Sequence, residues 1–205
     1  MLNGRARVAV LVSGGGTNLQ ALIDAEKAGI ITSGKIEVVI SNNPAAYALK
    51  RAEAAGIEAL VINKRALSSS DEFERLLIEA LDERKIDFIV LAGFMCILSE
   101  RFTSHYEKRI INVHPSLIPS FCGAGFYGIK VHEAALNYGV KVSGATVHFV
   151  NEIPDGGEII MQRAVAVLEG DTPESLQKRI MEEAEWKILP LSLELVCKRL
   201  IDKGN

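Results

Sequence analysis

Cysteine is scarce in this chain. Cys96, Cys122 and Cys197 are the only three among 205 residues. Their number is odd, their spacing is wide, and no C-x-x-C pair occurs. Neither a disulfide framework nor a zinc cluster is expected, and free thiols in a reducing compartment are the default. A surplus of positive charge is also missing. Lys and Arg total 23 against 26 Asp and Glu, a formal charge of -3, so the chain lacks the basic excess of a typical nucleic-acid binder. Long apolar runs are absent too. The longest uncharged run, Phe88 to Leu98, falls well short of the roughly 18 residues that suggest a membrane span. The stretch from Val8 to Val12 is too short for a signal-peptide core. His105, His132 and His148 show no H-x-x-x-H spacing, so no metal is expected. These absences leave a cytoplasmic domain that acts on small molecules, with no nucleic-acid or membrane partner.

What is present is ordinary for a globular protein: 48% hydrophobic and 24% charged residues, in a chain long enough to bury about 70% of its unfolded surface. Strand and helix patterns alternate from the start. Arg7–Val12, Ile36–Ile40, Ala59–Ile62 and Asp87–Leu91 are short β-branched or apolar runs. Between them, helical spacing appears over Thr17–Ala28, over Ala45–Ala55 (closed by Gly56), and from Ser70 or Asp71 to Arg84. Runs such as VAVLV and FIVL do not alternate, which fits strands buried on both faces. This rhythm predicts an α/β fold, a Rossmann-like and mostly parallel sheet flanked by helices. Ile110–Val113 is a fifth strand, and Lys130–Tyr138 a helix stopped by Gly139. Lys141–Val150 and Glu158–Val167 are joined by a link too short for a crossover, so they should pair antiparallel. Thr172 and Pro173 open a long C-terminal helix reaching about Leu200, with a kink expected near Pro190. The whole, 1–205, reads as one domain, with 1–110 a phosphate-binding half and 111–205 a catalytic half.

Chemistry has three candidate locations. Ser13-Gly14-Gly15-Gly16-Thr17-Asn18 joins the first strand to the first helix. Glycines allow close backbone approach, and free N–H groups at a helix start suit an anion such as a phosphate. The plainer reading is a tight turn capped by Thr17. The spacing matches neither G-x-G-x-x-G nor G-x-x-x-x-G-K-[ST], which favours a mononucleotide-type phosphate over NAD or ATP. Asn112 and His114 lie on one face at the carboxyl end of the fifth strand, where open sheets bind ligands. An amide beside an imidazole suits oxyanion stabilisation and proton transfer; a histidine held in a strand-end turn by Pro115 is the alternative. Asp155-Gly156-Gly157 taken alone is a turn former, and Glu185 taken alone a solvated helix charge, with Trp186 beside it in the core.

Taken together, SGGGTNLQALI at 13–23, LAGFMCILS at 91–99, NVHPSLIPSF at 112–121, TVHFVNEIPDGG at 146–157 and EAEWKILP at 183–190 resemble the folate-dependent formyltransferase family. The glycine loop and the length are most similar to its phosphoribosylglycinamide formyltransferases. The resemblance implies formyl transfer from 10-formyltetrahydrofolate, as co-substrate, to the amine of glycinamide ribonucleotide (GAR) in purine biosynthesis, by a monomer or homodimer. It makes Asn112, His114 and Asp155 the catalytic trio: His114 the general acid, Asn112 a second donor to the oxyanion, Asp155 the partner that favours protonated His114. It assigns the GAR phosphate to Gly15, Gly16, Thr17 and Asn18, and the ribose hydroxyls to Glu185. The folate falls to Asn112, to the backbone of Met95, Cys96, Ile97 and Leu98 and to the loop Asn151, Glu152, Ile153, Pro154 and Asp155, with Ser70 near the position that meets the glutamate tail.

Two positions depart from the family pattern. Cys96 stands where many relatives have Arg, and Ser70 where they have a basic residue; Lys64 and Arg65 are the nearby cations. The loop SFCGAGFYGI at 120–129 also differs from the common S-F-P-G form. A formyltetrahydrofolate hydrolase would use the same trio with water as acceptor, but it needs no sugar-phosphate loop. A nicotinamide oxidoreductase lacks its motif here, and a non-enzymatic nucleotide-binding module leaves the trio without a role.

Overall fold

The computed structural model describes residues 4–204. Seven strands form one sheet in the order β3-β2-β1-β4-β5-β6-β7. They are β1 (Ala6–Val12), β2 (Gly34–Ser41), β3 (Glu58–Val61), β4 (Phe88–Leu91), β5 (Ile110–His114), β6 (Val142–Phe149) and β7 (Ile159–Ala166). The first five run parallel, and β5-β6-β7 pair antiparallel, as the short link between the last two strands requires. Helices α1 (Thr17–Lys27), α2 (Tyr47–Ala54), α3 (Ser70–Glu83), α4 (Glu100–His105), α5 (Ile129–Tyr138), α6 (Pro173–Ile180) and α7 (Trp186–Gly204) flank it.

The unbroken apolar strands are sandwiched. In β1, Val8 and Val10 pack into a core shared with Leu19 and Leu22 of α1 and Leu189 and Leu193 of α7. Ala9 and Leu11 face the other way, with Phe73 and Leu77 of α3 and Phe102 of α4. Each such fully buried Leu or Phe contributes about 1.5–3 kcal/mol.

Several local expectations need correction. Gly16, in a left-handed conformation, is the N-cap of α1, and Thr17 is already helical. The side chain capping α3 belongs to Ser69, which accepts from the Glu72 N–H; neither Ser70 nor Asp71 is the cap. Helix α4 was not expected, because its six residues are too few to show a helical period. Thr172 caps α6 as read, in a reciprocal box with Ser175. The irregularity of the C-terminal helix lies at Met181–Glu185, a π-helical turn. Pro190 sits a turn further on, inside α7.

Candidate active site

Strands β1 and β4 are sheet neighbours although two strands separate them in sequence, so the winding of the chain reverses between them. A crevice forms outside the carboxyl ends of parallel strands at such a point. The glycine loop leaves β1 there, segment 92–98 leaves β4 beside it, and β5 follows next.

The glycine loop is a backbone device. Gly16 has φ 73°, and a Cβ there would lie 2.6 Å from the Ala48 Cβ, so α2 packs directly against it. Gly14 and Gly15 face open space. Among the described residues, no N–H from Gly14 to Leu19 has an intramolecular acceptor, which leaves a row of donors at a helix start. Beneath them, the Asn18 Nδ2 donates to Glu185 Oε2 at 2.7 Å. Glu185 is 6% exposed, which corrects the solvated reading: the π turn carries it inward against α1. Burial pushes its carboxyl up to about 7, against the lowering effect of the Asn18 hydrogen bond.

Asn112, His114 and Asp155 do converge. On the face where β5 begins with Ile110 packed among α3 and α4 residues, Asn112 and His114 follow at two-residue spacing. Antiparallel pairing sets His148 opposite Asn112 and Thr146 opposite His114. Strand β6 ends level with Ile111, toward the amino end of β5, so the loop after it must curl back over the face. It does so through a turn in which Asp155 takes φ 56° and Gly157 lies so close to the Phe149 carbonyl that any Cβ would overlap it. One Asp155 carboxylate oxygen then lies 3.4 Å from His114 Nδ1 and accepts from the Gly123 N–H at 2.9 Å. The other lies 3.5 Å from both His148 Nε2 and Asn112 Nδ2.

The proton arrangement follows from the partners. His148 Nδ1 lies 2.7 Å from the Phe149 carbonyl and must donate to it. Its Nε2 lies between Asn112 Nδ2, 3.3 Å away, and the Asp155 carboxylate. His114 faces an acceptor on each side, Asp155 at Nδ1 and the Phe121 carbonyl 2.8 Å from Nε2. Only the imidazolium satisfies both. Burial opposes that charge and wins: it drives the His114 pKa below its ordinary value despite the raising effects of Asp155 and Phe121. The preference for protonated His114 expected from Asp155 alone is thus outweighed by desolvation. For Asp155, burial would raise the carboxyl, but hydrogen bonds from His148 and the Gly123 N–H, with both imidazoles nearby, hold it below the usual range.

The segment after β4 lines the crevice. Met95 and Ile97 are 57% and 78% exposed, facing solvent like Ile153 at 57% on the Asp155 loop, while Leu98 is buried. The Met95 N–H is already taken by Ser13 Oγ at 2.8 Å, so it cannot serve a ligand as expected. Among the described residues, the N–H groups of Cys96, Ile97 and Leu98 have no intramolecular acceptor. The Cys96 thiol accepts from Asn42 Nδ2 at 2.8 Å. On the other loop, Asn151 Oδ1 accepts from the Ile153 N–H at 3.1 Å, and Glu152 and Pro154 lie at the surface. Ser70 touches none of the trio. It lies one turn before Phe73, whose ring stacks on Phe94 at 6.4 Å and carries Lys64 Nζ 5.6 Å above it. His148 and the Phe121 carbonyl are the participants sequence reading missed. Strand alternation of Thr146 and His148 was visible, but the β5–β6 register was not. Among the described residues, no group of three His, Cys, Asp or Glu is placed to hold a metal ion, and no helix is long and apolar enough to cross a membrane.

A mostly parallel sheet with an antiparallel C-terminal flank thus carries a glycine loop and an Asn-His-Asp cluster around its switch point. The family profile described as formyl transferase matches residues 6–193, and the chain belongs to that family. It is 46% identical over 201 residues to the human trifunctional purine biosynthetic protein adenosine-3, covering 98% of this chain but only 19% of that protein. It is 41% identical to the phosphoribosylglycinamide formyltransferase of Escherichia coli strain K12, covering 90% of this chain and 84% of the relative. The crystal structure of glycinamide ribonucleotide transformylase 1 from Symbiobacterium toebii superposes with a TM-score of 0.88 at 43% identity, covering 95% of this chain and 88% of that one.

Proposed function

We propose that this chain transfers the formyl group of 10-formyltetrahydrofolate to the amine of GAR. The observation that carries the reading is convergence: the trio, the row of free N–H groups and the buried Asn18–Glu185 pair all gather around one crevice. In this reading the GAR phosphate meets the N–H groups of Gly15 to Asn18, and the ribose hydroxyls meet Glu185. The pterin enters between Met95–Leu98 and the Asn151–Asp155 loop, where the unpaired N–H groups of Cys96 to Leu98 meet its polar edge. Lys64, whose Nζ lies 5.6 Å above the Phe73 ring, or its neighbour Arg65 is assigned to the glutamate tail.

The amine nitrogen attacks the formyl carbon, and the carbonyl electron pair moves onto oxygen. That oxygen takes the place of the Phe121 carbonyl on His114 Nε2, which requires the loop around Phe121 to yield. Asn112 Nδ2 turns toward the same oxygen as a second donor. Asp155 holds Nδ1 and offsets the charge that His114 carries. On collapse the bond to N10 of the folate breaks, N10 takes up a proton, and the amine gives one up.

The test is deformylation of 10-formyltetrahydrofolate followed by absorbance, with and without GAR. Turnover that requires GAR supports transfer. Equal turnover without GAR identifies a hydrolase, and no turnover in either case overturns both.

A further inference from the structure

The glycine loop is gripped from behind, and the grip decides where its N–H groups point. Three consecutive loop carbonyls each accept from the segment 43–51. Asn43 Nδ2 donates to the Ser13 oxygen at 3.3 Å, the Ala48 N–H to Gly14 at 3.1 Å, and Arg51 Nε to Gly15 at 2.8 Å. In a planar trans peptide, the N–H of the next residue points opposite to the carbonyl. Holding these three oxygens toward α2 therefore aims the N–H groups of Gly14, Gly15 and Gly16 away from α2, into the open side of the loop. Such a concave run of donors is an anion nest.

Of the three gripping groups, Arg51 does the most. Its NH1 also donates to Gln20 Oε1 on α1 at 3.0 Å, and its guanidinium stacks over the Tyr47 ring at 5.1 Å. It so ties the loop, α1 and α2 into one unit. Its ion-pair partners among the described residues number none, so its positive charge stands uncompensated behind the donors. Lys50 lies beside it on the same Tyr47 ring.

We propose that Arg51 is a positioning residue for phosphate capture, holding the Gly15 peptide so that the Gly16 N–H faces the ligand. The proposal rests on the reading that the loop receives the GAR phosphate. Arg51→Met keeps the aliphatic stem and removes the donors and the charge. It should raise the KM for GAR about tenfold or more, the cost of a lost charge-assisted hydrogen bond, with kcat and the folate KM unchanged. Arg51→Lys keeps the charge without the two-point geometry and should recover part of the loss. A merely structural role would instead lower Tm and disturb both substrates alike.

The companion measurement is amide NMR titration of Gly14 to Asn18 with inorganic phosphate and with GAR. Amides that shift in the wild type and shift at much higher ligand concentration in Arg51→Met support the proposal. Shifts in both proteins at equal ligand concentration overturn it and leave the phosphate reading intact. Wild-type loop amides that respond to neither ligand overturn the phosphate reading, and the assignment of Arg51 with it.

Discussion

The glycine loop and the His114 network open on the same crevice but are made of different material. The loop works through backbone N–H groups aimed by peptide planarity and a grip from α2. It needs small residues and, Glu185 apart, no group that titrates near neutral pH. The network works through side chains of β5, β6 and two connecting loops, and every member is an ionisable group or a partner of one. The first should be sensitive to shape and, Glu185 apart, indifferent to pH; the second should tolerate conservative changes of shape and respond to charge. The largest expected effect breaks the network. Asp155→Asn keeps the shape and removes the carboxylate that supports His114 Nδ1. Single-turnover formyl transfer should slow about a hundredfold or more, with the KM for GAR nearly unchanged. The His114 pKa, already lowered by burial, should fall further by NMR, because Asp155 is one of the two groups raising it. An unchanged rate and pKa would return Asp155 to a turn former.

The next contrast concerns acid. His132 of α5 is fully buried, neither ring nitrogen has a partner among the described residues, and burial, followed by the nearby His114, pushes its pKa from 6.5 down to about 4. A base whose folded pKa is depressed leaves the unfolded chain binding the extra proton. The stability it confers is therefore whole above 6.5 and is lost as pH falls toward 4. The whole loss amounts to about 3 kcal/mol. Urea unfolding at pH 7 and pH 4.5 should show that slope in the wild type and a flatter one in His132→Leu. Identical slopes would assign the acid sensitivity elsewhere.

The loop half is broken by shape. Gly15 faces open space, so Gly15→Ala should fold normally yet place a methyl where the phosphate approaches. The KM for GAR should rise about tenfold with Tm unchanged. Gly16→Ala meets Ala48 and a left-handed backbone and should lose about 1–3 kcal/mol of stability instead. A thermal melt and a GAR titration on the two variants separate ligand approach from fold. If Gly15→Ala binds GAR normally, the loop is a turn and nothing more.

This difference in material also explains what the sequence could disclose. Glycines after a β-branched strand announce a strand-to-helix loop within six residues, and the alternation of Asn112 and His114 announces a shared face. The architecture followed from the same local signals, since VAVLV and FIVL fit strands covered on both sides. Asp155 was legible as a partner of His114 only through the family resemblance. Its own neighbours signal a turn, and the fold-back that delivers it depends on the β5–β6 register. Glu185 was hidden for a different reason: a helix carboxylate taken alone is ordinarily solvated, whereas here it lies buried at the end of the π turn at Met181–Glu185. No local pattern marks an inserted residue in a helix. His148 needed the register as well, because only pairing with Asn112 gives it a place in the network.

The smallest effect should come from the crevice wall, where the backbone rather than a side chain is asked to act. The Cys96 thiol is engaged by Asn42. The free donors there are the N–H groups of Cys96, Ile97 and Leu98, which no side-chain exchange removes. Cys96→Ser keeps an acceptor for Asn42 and should be silent. Cys96→Ala leaves the Asn42 amide short of a partner, when its oxygen already lacks one, and should cost about 1 kcal/mol of stability. Its effect on the folate KM should stay under about threefold. The measurement is the folate KM of both variants beside their urea midpoints. A stability loss without a KM change would place the wall with the glycine loop, as a second surface whose recognition is written in backbone. A tenfold rise in the folate KM for Cys96→Ala, at unchanged stability, would place it with the His114 network.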